Sequence, residues 1–191
     1  LKRSAELPEE ELVIRAQNGD SEAFYSLYLR YEKGLYSLCF HLLQNQAEAE
    51  DAVQEAVLKA YSHIKDFKGR EGIPFSAWLY RICANTCFSL LRRRKESLLD
   101  PKSDHVAETP DPQPGPLEQV LLMEEGTAVR QAVAALPDIY RLPVLLRYGQ
   151  GLSYAEIGQI LDLPVNTVAT RLRRAHFFLK KQLAGKEDEA N

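Results

Sequence analysis

The 191-residue chain is poor in the residues that build metal and redox chemistry: it holds three Cys, four His, one Trp and one Met. An odd, small number of cysteines argues against a disulfide framework and fits a reducing compartment, so cytoplasmic thiols are expected. Cys83 and Cys87 lie four apart and share a face if helical, but no His or further Cys at ligand spacing completes a metal site. Cys39 and His41 are two apart and diverge on a helix. Buried small side chains account for the cysteines better than a ligand set does, so neither a metal nor a cofactor is expected. No apolar run approaches the ~20 residues needed to cross a bilayer. No basic-then-apolar leader opens the chain, so nothing predicts secretion. Leu1 in place of Met suggests an alternative start codon or a trimmed start. No His/Asp/Ser constellation stands out, which argues against an enzyme and against a small-molecule substrate. There is no internal repeat.

What is present is helical periodicity. The hydrophobic fraction of 45% suits a folded protein, and apolar residues recur at three- and four-residue steps over 9–18, 22–43, 47–64 and 75–95. In 47–64 the stripe Ala49, Ala52, Val53, Ala56, Val57, Ala60, Tyr61 and Ile64 leaves Asp51, Gln54 and Glu55 together on the other face. From spacing alone, a solvated acidic face near a helix N-terminus explains them equally well. Residues 66–74 form a loop with two Gly and a Pro. Lys68 and Arg70 give it affinity for a polyanion, without the spacing of a nucleotide-binding loop. In 75–95 a buried stripe is backed by a polar one of Arg81, Asn85, Ser89 and Arg92. Asn reads bases well because its amide offers a donor and an acceptor together. Arg92, Arg93 and Arg94 then close the helix with Lys95, where the dipole favours cations and a phosphate backbone is a natural partner.

The net charge of −3 hides this segregation: cations gather at 92–95 and 171–181, acids elsewhere. Residues 96–118 change character, with Pro101, Pro110, Pro112, Pro114, Pro116 and six acids against the single Lys102. Such a composition predicts an extended linker. The expected organisation is a helical domain over 1–95, a linker over 96–116, a second helical domain over 117–184 and a polar tail over 185–191. The fold class is all-α, two small helical domains.

The second domain carries the DNA signal. Periodicity returns over 117–136, and Pro137 restarts a helix that Gly149 and Gly151 end. Ser153 then caps a helix pair broken by Leu163-Pro164. Val165, Val168, Leu172, Ala175 and Leu179 make one face of the second helix. Asn166, Thr170, Arg173, Arg174 and Phe177 make the other. From 165 to 181 there are five Lys/Arg and no acid. A tight turn followed by a one-sidedly basic helix fits a helix-turn-helix. Small Gly158 stands where the helices must approach, and Asp162 in the turn, where a left-handed backbone is often needed. The bland alternative is a helical hairpin with a solvated basic face.

Taken together, AEDAVQEAVLKAY, FSAWLYRICANTCFSLLRRRK and LPDIYRLPVLLRYGQGLSYAEIGQILDLPVNTVATRLRRA resemble, in order, the core-binding, −10 and −35 segments of bacterial RNA polymerase sigma factors. The resemblance is to the small, two-domain extracytoplasmic-function type. It implies that Asp51, Gln54 and Glu55 meet the core enzyme. It also implies that the 66–74 loop and Asn85 trap a flipped −10 base, with Lys68, Arg70, Arg81, Ser89 and Arg92 to Arg94 on −10 DNA. Ser153, Asn166, Thr167, Thr170, Arg171, Arg173 and Arg174 would contact −35 DNA. It further implies an anti-sigma factor partner, in many members membrane-bound. Ser89, Asn166, Ala169 and His176 depart from the residues usual in the family. A stand-alone helix-turn-helix regulator is the alternative, though no dimerisation helix supports it.

Overall fold

The computed structural model describes residues 7–69, 73–99 and 124–189. Local signals set the ends of the first helices. Helix α1 (Glu9–Gln17) opens with three acids in its first turn, where the dipole favours them. Asp20 caps α2 (Ser21–Leu43) by accepting from the Ala23 N–H at 3.0 Å, and Arg15 grips the same carboxylate at 2.6 Å. That amide and the guanidinium hold Asp20 below its ordinary range. Gln44 turns the chain with a left-handed φ of 56°, and Asn45 caps α3 (Gln46–His63). Helix α4 (Phe75–Leu99) follows the loop after a short 3-10 turn, Ile64–Asp66. The four helices bury Leu12, Leu27, Leu35, Leu38, Leu42 and Leu79. The expected helix over 47–64 is thus present, but Tyr61 of its apolar stripe stays half-exposed, edge-on to Phe24 at 5.0 Å.

The second group comprises α5 (Glu124–Ala134), α6 (Asp138–Val144), α7 (Tyr154–Leu161) and α8 (Val165–Glu189). Residues 117–123 of the expected helix lie outside the described residues. Pro143 inside α6 has no N–H to donate, and a π turn, Leu145–Gly149, follows immediately. Helix α8 runs on through residues 185–189, read from composition as polar tail; Lys186, Glu187 and Glu189 are good helix formers. Val165, expected on the buried face of α8, is the first residue of that helix and stays exposed.

The two groups dock. Helices α2 and α4 meet α6, the π turn and α7, and one apolar cluster runs through both groups. At the junction the buried Tyr80 hydroxyl donates to Gln150 Oε1 at 2.7 Å. Burial pushes the Tyr80 phenol up to about 12, so it remains a donor at ordinary pH. Gly34 makes room: a Cβ there would lie 2.2 Å from Tyr80 Oη and 2.5 Å from Gln150 Oε1. Among the described residues there is no strand, and no helix is long and apolar enough to cross a membrane.

Candidate nucleic-acid and polymerase interface

The polar stripe of α4 is presented as its spacing predicts. Arg81, Asn85, Arg92, Arg93 and Arg94 are exposed. Opposite them Cys83, Ala84, Thr86 and Cys87 are buried, which fixes the rotation of the helix. Ser89 is half-buried and spends its hydroxyl on the Asn85 carbonyl at 2.9 Å. Among the described residues the Asn85 amide has no hydrogen-bond partner, so both its donor and its acceptor face solvent. The Arg92 guanidinium lies 4.0 Å from the Glu96 carboxylate; Arg93 and Arg94 extend the cationic end. Lys68 is exposed in the preceding loop, and Arg70 lies outside the described residues.

The acidic face of α3 stands beside this stripe. Asp51 and Gln54 are exposed and Glu55 is half-buried. Lys59 joins the two helices, reaching the Glu55 carboxylate at 2.5 Å and the Thr86 hydroxyl of α4 at 3.4 Å. Leu58, three residues after Glu55, is 69% exposed on the same side of α3. It is not among the site residues expected from the sequence. Its signal was an apolar residue that falls outside the buried period.

The helix-turn-helix is built by local rules. Ser153 and Glu156 form a reciprocal capping box at the start of α7. The Glu156 N–H donates to Ser153 Oγ at 3.2 Å, and the Ser153 N–H donates to Glu156 Oε2 at 2.8 Å. Arg147 braces the approach, donating to the Leu152 carbonyl at 2.9 Å with its guanidinium 5.2 Å from the Tyr154 ring centroid. Asp162 adopts a φ of 53°, the left-handed turn its position called for. A Cβ on Gly158 would stand 2.8 Å from the Leu163 carbonyl oxygen, so it is the backbone of the turn, not α8 itself, that closes on α7 where only glycine fits.

Helix α8 packs on α5, α6 and α7 through Val168, Leu172 and Ala175. Asn166, Arg173 and Arg174 are exposed along its other side, with Thr167, Thr170 and Arg171 half-buried beside them. Thr170 returns its hydroxyl to the Asn166 carbonyl at 2.9 Å. Arg173 and Arg174 border an open groove with Tyr140, Phe177 and Phe178. The structure therefore gathers the α3 and α4 residues on neighbouring helices and sets the α8 residues apart on the other group. Such an arrangement can hold a polyanion at two separate places.

A family model described as Sigma-70 region 2 matches residues 27–97, and one described as Sigma-70, region 4 matches residues 127–175. The ECF RNA polymerase sigma factor SigW of Bacillus subtilis (strain 168) is 36% identical over 182 residues, covering 90% of this chain and 94% of its own. The ECF RNA polymerase sigma-E factor of Escherichia coli (strain K12) is 35% identical over 184 residues, covering 90% and 92%. Among solved structures, CnrH in complex with the cytosolic domain of CnrY superposes with a TM-score of 0.70 at 24% identity, over 93% of this chain and 97% of that one. The sigma factor RpoE of Bartonella quintana, solved with the anti-sigma factor NepR, gives 0.67 at 24% identity, over 84% and 96%. These two structures share the fold.

Proposed function

This chain belongs to the extracytoplasmic-function RNA polymerase sigma factors, and on that premise we propose how it works. It binds core RNA polymerase, directs it to a set of promoters and helps open the DNA there, work done in the cytoplasm. It transfers no chemical group itself. Residues 1–95 form the module for core enzyme and the −10 element, 96–116 the linker and 117–184 the −35 module. Asp51, Gln54 and Glu55 dock on the core enzyme, with Leu58 as an apolar contact beside them. Arg92, Arg93 and Arg94 hold −10 phosphates; Thr170, Arg173 and Arg174 face the −35 groove with Asn166 and Thr167 at its edge. An anti-sigma factor that covers these surfaces keeps the protein idle until a signal arrives.

The observation that carries the mechanism is the Asn85 amide. It is exposed and unpaired on a rigid helix, between Arg81 and the Arg92–Arg94 run. A base flipped from the −10 element offers hydrogen-bonding edges to such an amide, and capturing it offsets the few kcal/mol of unstacking. Lys68 and Ser89 flank that site. The stand-alone regulator is the weaker reading, because the relatives match along both modules. The test is reconstitution. Wild-type protein with core polymerase should give run-off transcripts from a promoter library, and the Asp51→Ala/Gln54→Ala/Glu55→Ala variant should lose core binding while keeping its melting temperature. Failure of the wild type to bind core polymerase sinks this reading.

A further inference from the structure

All three cysteines of the chain meet at one point. Cys39 comes from α2, and Cys83 and Cys87 stand one turn apart on α4. Cys39 Sγ lies 3.1 Å from Cys83 Sγ and 3.4 Å from Cys87 Sγ, and the three sulfurs fall within 4.8 Å of one another. All are free and fully buried. The surrounding core is apolar, Leu35, Leu38, Leu42 and Leu79 being buried around these helices, and the ligand group contains no His, Asp or Glu. Burial as a small apolar residue explains each cysteine singly; it does not explain why all three sulfurs converge from two helices.

Thiolate bonds of about 2.3 Å place three sulfurs roughly 4 Å apart around a planar centre and roughly 3.5 Å apart around a pyramidal one, the shape a trivalent metalloid takes, and the cluster at 3.1 and 3.4 Å reaches the latter by small side-chain rotations. Structural zinc sites close with four protein ligands and three-ligand zinc sites keep an open position for water; this set has three sulfurs, all fully buried. Soft thiolates also suit copper(I), but three thiolates around a monovalent ion leave two negative charges in an apolar core, which is costly. Around a trivalent centre the charges cancel. We propose that Cys39, Cys83 and Cys87 form a three-thiolate site for a trivalent metalloid, arsenic(III) being its simplest occupant. Capture from arsenite balances without electron transfer: As(OH)3 + 3 Cys-SH gives As(S-Cys)3 + 3 H2O. Three As–O and three S–H bonds break; three As–S and three O–H bonds form. The bound centre ties α2 to α4 directly behind the face that presents Arg81 and Asn85.

The test equilibrates the reduced full-length chain with sodium arsenite, both as folded protein and during refolding, because the buried site opens slowly. Native mass spectrometry should find one arsenic per chain with three hydrogens lost, and X-ray absorption should find three As–S bonds. Cys39→Ala, Cys83→Ala and Cys87→Ala should each weaken retention by about a hundredfold or more, since removing a ligand costs at least what removing its outer support does. The X-ray absorption result on the wild type decides the matter even where an alanine variant does not fold. No arsenic bound under either condition, two-sulfur coordination, undiminished binding by the variants, or displacement of arsenic by equimolar copper(I) or zinc overturns the proposal. The outcome is independent of whether the chain binds polymerase.

Discussion

Asn85 is held in place by its neighbours rather than by its own side chain. The buried Cys83, Thr86 and Cys87 fix the helix, and the Ser89 hydroxyl bonds the Asn85 carbonyl, leaving the amide free. Replacing Asn85 with Ala should therefore leave stability within about 0.5 kcal/mol. It should remove about 1–3 kcal/mol of base discrimination. Permanganate reactivity of the promoter bubble should fall, while closed binding through the −35 element is unchanged; an undiminished bubble sinks the base-trapping role. At this scale the sequence was legible wherever the cause is local. Asp162, Ser153 and Asp20 do what their positions predict, because a turn or a cap is decided within four residues. The cysteine triad was illegible because Cys39 and Cys83 are 44 residues apart. Spacing along one helix says nothing about what the next helix delivers.

Among the elements, α3 shows how an amphipathic reading succeeds and where it stops. The small stripe Ala49, Ala52, Ala56 and Ala60 is fully buried, as its period requires, and lets α3 lie close to its neighbours. Periodicity sorts residues into inside and outside but gives no account of an apolar residue outside. Leu58 is such a residue, on the side that carries Asp51, Gln54 and Glu55. Leu58→Ala should weaken core polymerase binding by about 1–2 kcal/mol, the scale of lost apolar burial. The melting temperature should hold, since little is buried in the free protein. Titrating core enzyme with labelled wild-type and variant protein checks this; equal affinities would remove Leu58 from the contact surface. Helix α6 marks another limit. Its period was readable, but the π turn after Pro143 departs from the 3.6-residue repeat and so does not register in it.

For the whole molecule, composition made two modules legible, and nothing in it announced that they dock. The Tyr80–Gln150 bond joins residues 70 apart and has no local signature. Docking matters because −10 and −35 elements lie about 25 base pairs apart, on the order of 85 Å at about 3.4 Å per pair. A compact chain of this length has a radius of gyration of only about 16 Å. If the modules engage the −10 and −35 elements as proposed, the docked form cannot occupy both, and promoter engagement requires the modules to separate. Gly34→Ala should favour separation. Its Cβ displaces the Tyr80 and Gln150 side-chain ends, leaving buried polar groups unsatisfied at about 1–3 kcal/mol. Within α2 itself, alanine is the better helix former. Energy transfer between dyes on the two modules should drop in the variant; an unchanged signal would show that this contact does not hold them together.

Gly34, Tyr80 and Gln150 also work as a signature that can be read in other chains. A relative with any side chain at the first position cannot keep the phenol–amide bond in this geometry, so the three residues must vary as a set wherever the closed form is kept. Their covariation would sort two-module sequences into those that rest shut and those that stand open, before any of them is purified.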